Sequence, residues 1–154
     1  LLEEFNLSRL KDRDYTKLSG GETRMVMIMR ALVQDTPIII MDEPTAHLDF
    51  KYELKVLETI VRLVRQKNRT LVMATHFPNH AFFLENAGIP VDVAFMAGGR
   101  LHPVGCPAEA VTRENLERFY GVRTEIAAYQ VSGKGTIRQA IALETLEKKN
   151  HEKI

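Results

Sequence analysis

Tryptophan is absent from the chain and cysteine occurs once, as Cys106. A single cysteine excludes an intramolecular disulfide and makes a reducing compartment the default. Neither sign of charge dominates, since 21 lysines and arginines stand against 20 aspartates and glutamates. That balance gives no electrostatic reason to expect nucleic acid, and no polybasic run suggests an anionic lipid surface. Long apolar runs are missing as well; none approaches the roughly 18–20 residues that a bilayer-spanning helix needs. Any connection to a membrane therefore has to run through a partner.

What is present is ordinary for a globular domain: 154 residues, 45% hydrophobic and 27% charged, enough to bury a core. The first residue is leucine, and LLEEFNL reads as helix with no capping residue ahead of it, so the sequence is expected to be part of something longer. Leu1 to Leu10 is expected to be a short helix, followed by a polar stretch to Lys17. LSGGE at Leu18 to Glu22 enters a helix running to about Gln34, with Met25, Met29, Leu32 and Val33 at helical spacing. Ile38 to Met41 is a β-branched run of the kind that suits a strand buried on both faces of a parallel sheet. It ends in Asp42-Glu43-Pro44.

Asp49 is placed to cap a helix to about Lys67, with Leu54, Leu57, Val61 and Val64 on one face. Leu71 to Ala74 reads as a second buried strand, closed by Thr75 and His76, with a helix over about Asn79 to Asn86 after it. Val91 to Met96 and Leu101 to Val104 flank Gly98-Gly99 as a hairpin, and short helices follow near Ala108 and over Glu114 to Tyr120. Thr124 to Val131 and Thr136 onward suit a hairpin around Ser132 to Gly135, while Ile137 to Lys149 also holds good helix formers. Buried strands alternating with amphipathic helices make the fold class α/β.

Four local patterns carry chemistry, and each has a plainer reading beside it. Gly20 and Gly21 at a helix entrance let backbone N–H groups approach an anion, and the Ser19 hydroxyl can join them. Ser19 and Glu22 also have the S-x-x-E spacing of a simple capping box. The strand that delivers Asp42 and Glu43 to one sheet edge suits Mg²⁺-assisted phosphoryl transfer, with Asp42 on the metal and Glu43 activating water. The same residues could be an ordinary polar turn. His76, after the next strand, could bond a γ-phosphate or could be a satisfied strand-end histidine. Asp49 needs no role beyond its cap.

Together, LSGGETRMVMIMRAL, IIIMDEPTAHLDF and LVMATHFPNHA resemble the ATPase subunit of ABC transporters over most of Leu1 to Val122. In that resemblance Leu18 to Glu22 is the signature motif, Ile38 to Glu43 the Walker B strand, Ala46 to Asp49 the D-loop and His76 the switch histidine. TAHLDF, THFPNHA and GGRLHPVG…ENLERFYGV look most like the importers for iron–siderophore, haem and vitamin B12 complexes. The implied fold is part of a P-loop NTPase: residues 1–34 from the helical subdomain, 35–122 from the ATPase core, 123–154 a C-terminal hairpin or helix extension. The resemblance implies ATP and Mg²⁺ as cofactors, a second ATPase subunit docked head to tail, and membrane permease subunits that hold the chain at the cytoplasmic face of the membrane.

It also implies a division of labour. Asp42, Glu43 and His76 act on a nucleotide in cis, while Ser19, Gly20, Gly21, Glu22 and Asp49 face the partner's. The phosphate loop G-x-x-x-x-G-K-[ST], the adenine-stacking segment and the Q-loop have no counterpart in these 154 residues. Gly133-Lys134-Gly135-Thr136 echoes the loop, but position 128 is Ala128 where its first glycine belongs. Thr23 stands where the family usually has glutamine. The isolated chain is accordingly expected to be inactive, and the strand ending at Thr75 to expose an edge that the phosphate-loop strand would pair. ATPases of translation or DNA repair, and a non-catalytic module that pairs with an intact subunit, are the alternative readings.

Overall fold

The structure, a computed structural model, describes residues 2, 3, 5, 7–34, 36–67 and 69–147. It divides into two units, Leu1–His76 and Phe77–Ile154.

Among the described residues the first unit opens on single 3-10 turns at Ser8–Leu10 and Tyr15–Lys17 rather than on the helix expected over Leu1 to Leu10, of which residues 1, 4 and 6 lie outside the described residues. Leu7 N–H reaches back to the Leu2 carbonyl at 2.7 Å, a five-residue closure wider than the four-residue one of an α-helical turn. Phe5, Leu7 and Leu10 are buried. Helix α1, Gly20–Val33, follows, with strand β1 (Ile38–Asp42), helix α2 (Phe50–Lys67) and strand β2 (Thr70–Ala74). β1 and β2 are parallel, in register from Ile38 opposite Thr70 to Asp42 opposite Ala74, and α2 is their crossover.

Burial corrects three expectations. On β1 only Ile39 and Met41 are buried, whereas Ile38 and Ile40 are 57% and 76% exposed. β2 is likewise not buried, with Val72 exposed. Among the described residues nothing covers that face of the two-stranded sheet, so period-2 alternation replaces two-sided burial. Along α2 the inward stripe is Val56, Leu57, Ile60 and Leu63, with Leu54 exposed and Val61 and Val64 half-buried. α1 buries Met25, Ile28, Met29 and Leu32, and Val33 is exposed beside its end.

The second unit holds helix α3 (Asn79–Asn86), strands β3 (Val93–Ala97) and β4 (Arg100–Gly105), helices α4 (Pro107–Ala110) and α5 (Arg113–Tyr120), and strands β5 (Val122–Val131) and β6 (Gly135–Thr145). Gly98 and Gly99, at φ 56° and 69°, make the tight turn between β3 and β4 that only left-handed residues allow. β5 and β6 pair antiparallel over their length, so residues 137–145 are strand and not helix. A cross-strand partner outweighs the local helix preference there. Residues 148–149 of that expected helix lie outside the described residues. The core gathers Phe82, Phe95, Ala110, Val111 and Leu116, with Ile126 and Ala140 of the hairpin packed against it. Asn79 joins α3 to the hairpin: its Nδ2 donates to the Ala140 carbonyl at 3.1 Å and its Oδ1 accepts from Ala140 N–H at 2.7 Å.

Candidate functional site

Every residue that the sequence nominates lies in the first unit. β1 and β2 run parallel, so their C-terminal ends lie side by side, and the residues leaving them meet. Glu43 N–H donates to the Ala74 carbonyl at 2.9 Å, extending the ladder one residue past β1. This brings Glu43 to His76, whose Nδ1 stands 2.8 Å from Oε1 of the carboxylate. The other oxygen, Oε2, is buried without a hydrogen-bond partner among the described residues. A buried, unpaired carboxylate oxygen is costly and calls for a water or a ligand. Asp42, next to it, is exposed.

The loop from Glu43 to Asp49 is tightly turned. Glu43 and His47 adopt φ 44° and 62°, the two non-glycine residues with positive φ among the described residues. Such backbone is disfavoured for residues with a Cβ and concentrates at functional sites. Ala46 N–H to the Glu43 carbonyl (3.1 Å) and Leu48 N–H to the Thr45 carbonyl (3.2 Å) brace the turn. Thr45 is buried, and its hydroxyl lacks a partner among the described residues. Asp49 caps α2, accepting from Tyr52 N–H at 2.9 Å.

At the start of α1 the capping box is complete. Glu22 N–H donates to Ser19 Oγ at 3.3 Å, and Ser19 N–H donates to Glu22 Oε2 at 3.0 Å. Glu22 also takes the Arg9 guanidinium. The Ser19 N–H first, and Arg9 second, lower the Glu22 carboxyl to about 2. The cap does not use up Ser19: its oxygen accepts, and its O–H proton can still be donated. A methyl group placed on Gly20 would meet nothing within 4 Å, and one on Gly21 would touch only Leu48 at 3.7 Å. The fold itself thus does not require glycine at position 20.

Sequence reasoning passed over Arg24 and Arg9. Arg24 reaches from α1 to three successive carbonyls: Asp42 at 2.7 Å, Pro44 at 3.4 Å, and Glu43 between them. A cation near the positive end of a helix is a signal that could have found it, because the dipole disfavours it there.

These features fit a nucleotide and its metal in parts. Gly20 leaves room for close approach of an anion, and Glu43 Oε2 is an acceptor without a donor among the described residues. No cluster of three metal-binding side chains occurs among the described residues. Asp42 would therefore give a Mg²⁺ one carboxylate, the rest of its shell coming from phosphate and water, a common arrangement for this ion.

The chain is similar to known proteins of one family. The ABC transporter family profile matches residues 1–46. An ABC transporter ATP-binding protein of Haemophilus influenzae is 38% identical over 127 residues, covering 81% of this chain and 45% of that protein. The ferric enterobactin transport ATP-binding protein FepC of Escherichia coli is 33% identical over 132 residues, covering 86% and 47%. Among solved structures, an inward-facing metal-chelate type ABC transporter superposes with a TM-score of 0.78 at 26% identity, over 93% of this chain and 55% of that one. The chain thus spans a little under half of each of these two curated relatives. The order of motifs, the paired strand ends and these likenesses agree: the chain belongs to the ATP-binding family of ABC transporters.

Proposed function

We propose that the chain forms part of the ATP-hydrolysing subunit of an ABC importer for an iron complex or a cobalamin-like substrate. The observation that carries the reading is the meeting of Glu43 and His76 at the ends of two adjacent parallel strands, with Asp42 beside them. ATP would be the substrate, its terminal phosphoryl group passing to water as the bond to ADP breaks and ADP and phosphate leave. Glu43 accepts the water's proton at Oε2, the oxygen that His76 does not engage. His76 holds the carboxylate through Oε1 and fixes its direction. Asp42 would hold Mg²⁺, which would neutralise charge on the phosphates.

Ser19, Gly20 and Gly21 serve the nucleotide of a second subunit docked head to tail. The open face of Gly20 and the uncommitted hydroxyl proton of Ser19 support that role. Asp49 sets the loop between the two groups by capping α2. Among the described residues no helix is long and apolar enough to cross a membrane. Attachment to the cytoplasmic face would come through permease subunits. The names of relatives support the importer class and the substrate, since cobalamin, iron(3+)-hydroxamate and hemin import ATP-binding proteins are among them.

The test uses the full-length protein. Glu43→Gln keeps the side chain's shape but cannot accept a proton, so phosphate release should fall by roughly 10²–10⁴-fold while ATP still binds. Hydrolysis at the parent rate removes Glu43 as the base.

A further inference from the structure

We propose that Arg24 is a positioning residue that couples the start of α1 to the catalytic carboxylate by holding the main chain on which Glu43 stands. The proposal rests on the reading of Glu43 given above. In an extended strand successive carbonyls point to opposite sides, so three in a row cannot face one cation. Arg24 nonetheless receives the carbonyls of Asp42, Glu43 and Pro44. This convergence requires the chain to leave extended geometry at Glu43, and its φ of 44° is that departure. Glu43 also precedes Pro44, which restricts its backbone further. The turn is thus an unfavourable one held by a neighbour. A guanidinium suits the task, since its fixed fork can serve several acceptors at once.

The turn has a consequence for the side chain. Where the backbone bends at Glu43, the carboxylate faces His76 at 2.8 Å and Oε2 turns inward. Arg24 stands five residues after the Ser19 cap, on the helix that presents Ser19, Gly20 and Gly21. A shift of that helix end is therefore passed through one side chain to the backbone of the base. Arg24 touches no reacting atom in this arrangement.

Two readouts on the full-length protein test the coupling. In Arg24→Met, amide exchange at Glu43 and Ala46 should accelerate at least about 10-fold, while Thr23 in α1 and Glu53 in α2 keep their parent rates. In the same variant kcat for ATP should fall roughly 10–100-fold, as expected for a misplaced catalytic group, with KM within about two-fold of the parent. Arg24→Lys keeps the charge without the fork and should lie between parent and Met in both assays. It carries the test alone if the Met variant does not fold. Unchanged exchange at Glu43, or an even acceleration across α1 and α2, overturns the coupling. So does a variant with altered exchange but parental kcat. A parent protein that hydrolyses no ATP refutes the proposed function instead, and the exchange result then decides the fate of the Arg24 clamp by itself.

Discussion

Gly20→Ala separates what the fold needs at the start of α1 from what function needs. Gly20 is the first residue of the helix, and a Cβ there meets nothing within 4 Å. The substitution therefore adds no clash, and it removes conformational freedom from the unfolded chain. Changes of this kind stabilise by about 0.4–1 kcal/mol where the native backbone suits alanine. For a cooperative unit the size of Leu1–His76 that is a rise in melting temperature of roughly 2–8 °C. Circular dichroism at 222 nm (the usual helix band) follows the transition. In the proposed function the same methyl group would stand where a partner's phosphate approaches, so nucleotide-dependent pairing of the full-length protein should weaken. More stability with less pairing is the pattern of a glycine kept for function. A lower melting temperature would show that the helix start differs from the one described, and unchanged pairing would show that no anion comes close to Gly20.

Two further substitutions test the surroundings. Glu22 has its carboxyl held at about 2, below its ordinary 4.5, so its stabilising contribution is present above about 4.5 and is lost as pH falls toward 2; Glu22→Gln should flatten that part of the stability–pH curve, and an unchanged acid limb would mean that the Ser19 and Arg9 contacts do not persist in solution. Asn79→Ala removes both bonds to Ala140 and should cost about 1–3 kcal/mol in urea unfolding, with a loss below about 0.5 kcal/mol contradicting the clasp.

Much of this was legible in the sequence because the signals were local. The Gly98-Gly99 turn, the Asp49 cap and the bounds of α3 follow from residues within a few positions of one another. The order LSGGE, IIIMDE, AHLD and His76 identified the family for the same reason. Burial was less legible. Along α2 two overlapping apolar stripes, 54-57-61-64 and 56-57-60-63, fit the helical period almost equally, and packing chose the second. Ile38 and Ile40 look like core residues, yet their face of the sheet has no cover among the described residues. The helix formers after Ile137 were overruled by pairing with β5, a contact no local pattern announces. At the site, sequence named Glu43 and His76 separately, and only the parallel register of β1 and β2 shows them as a pair. Arg24 was missed because its partners lie 18 to 20 positions away. At Ser19 the capping box is formed, and because its oxygen only accepts there, the cap leaves the hydroxyl proton available to a phosphate.

The most direct measurement of the central claim is size-exclusion chromatography of the full-length protein with and without Mg-ATP. Glu43→Gln should accumulate as an ATP-dependent dimer, because in the proposed function hydrolysis is what releases the closed pair. Adding Gly20→Asp to that variant sets a carboxylate against the partner's phosphates, and like-charge repulsion should leave it monomeric at every ATP concentration. If the doubly substituted protein still dimerises with ATP, then Leu18 to Glu22 is a helix cap and no more, and the account of this site is wrong.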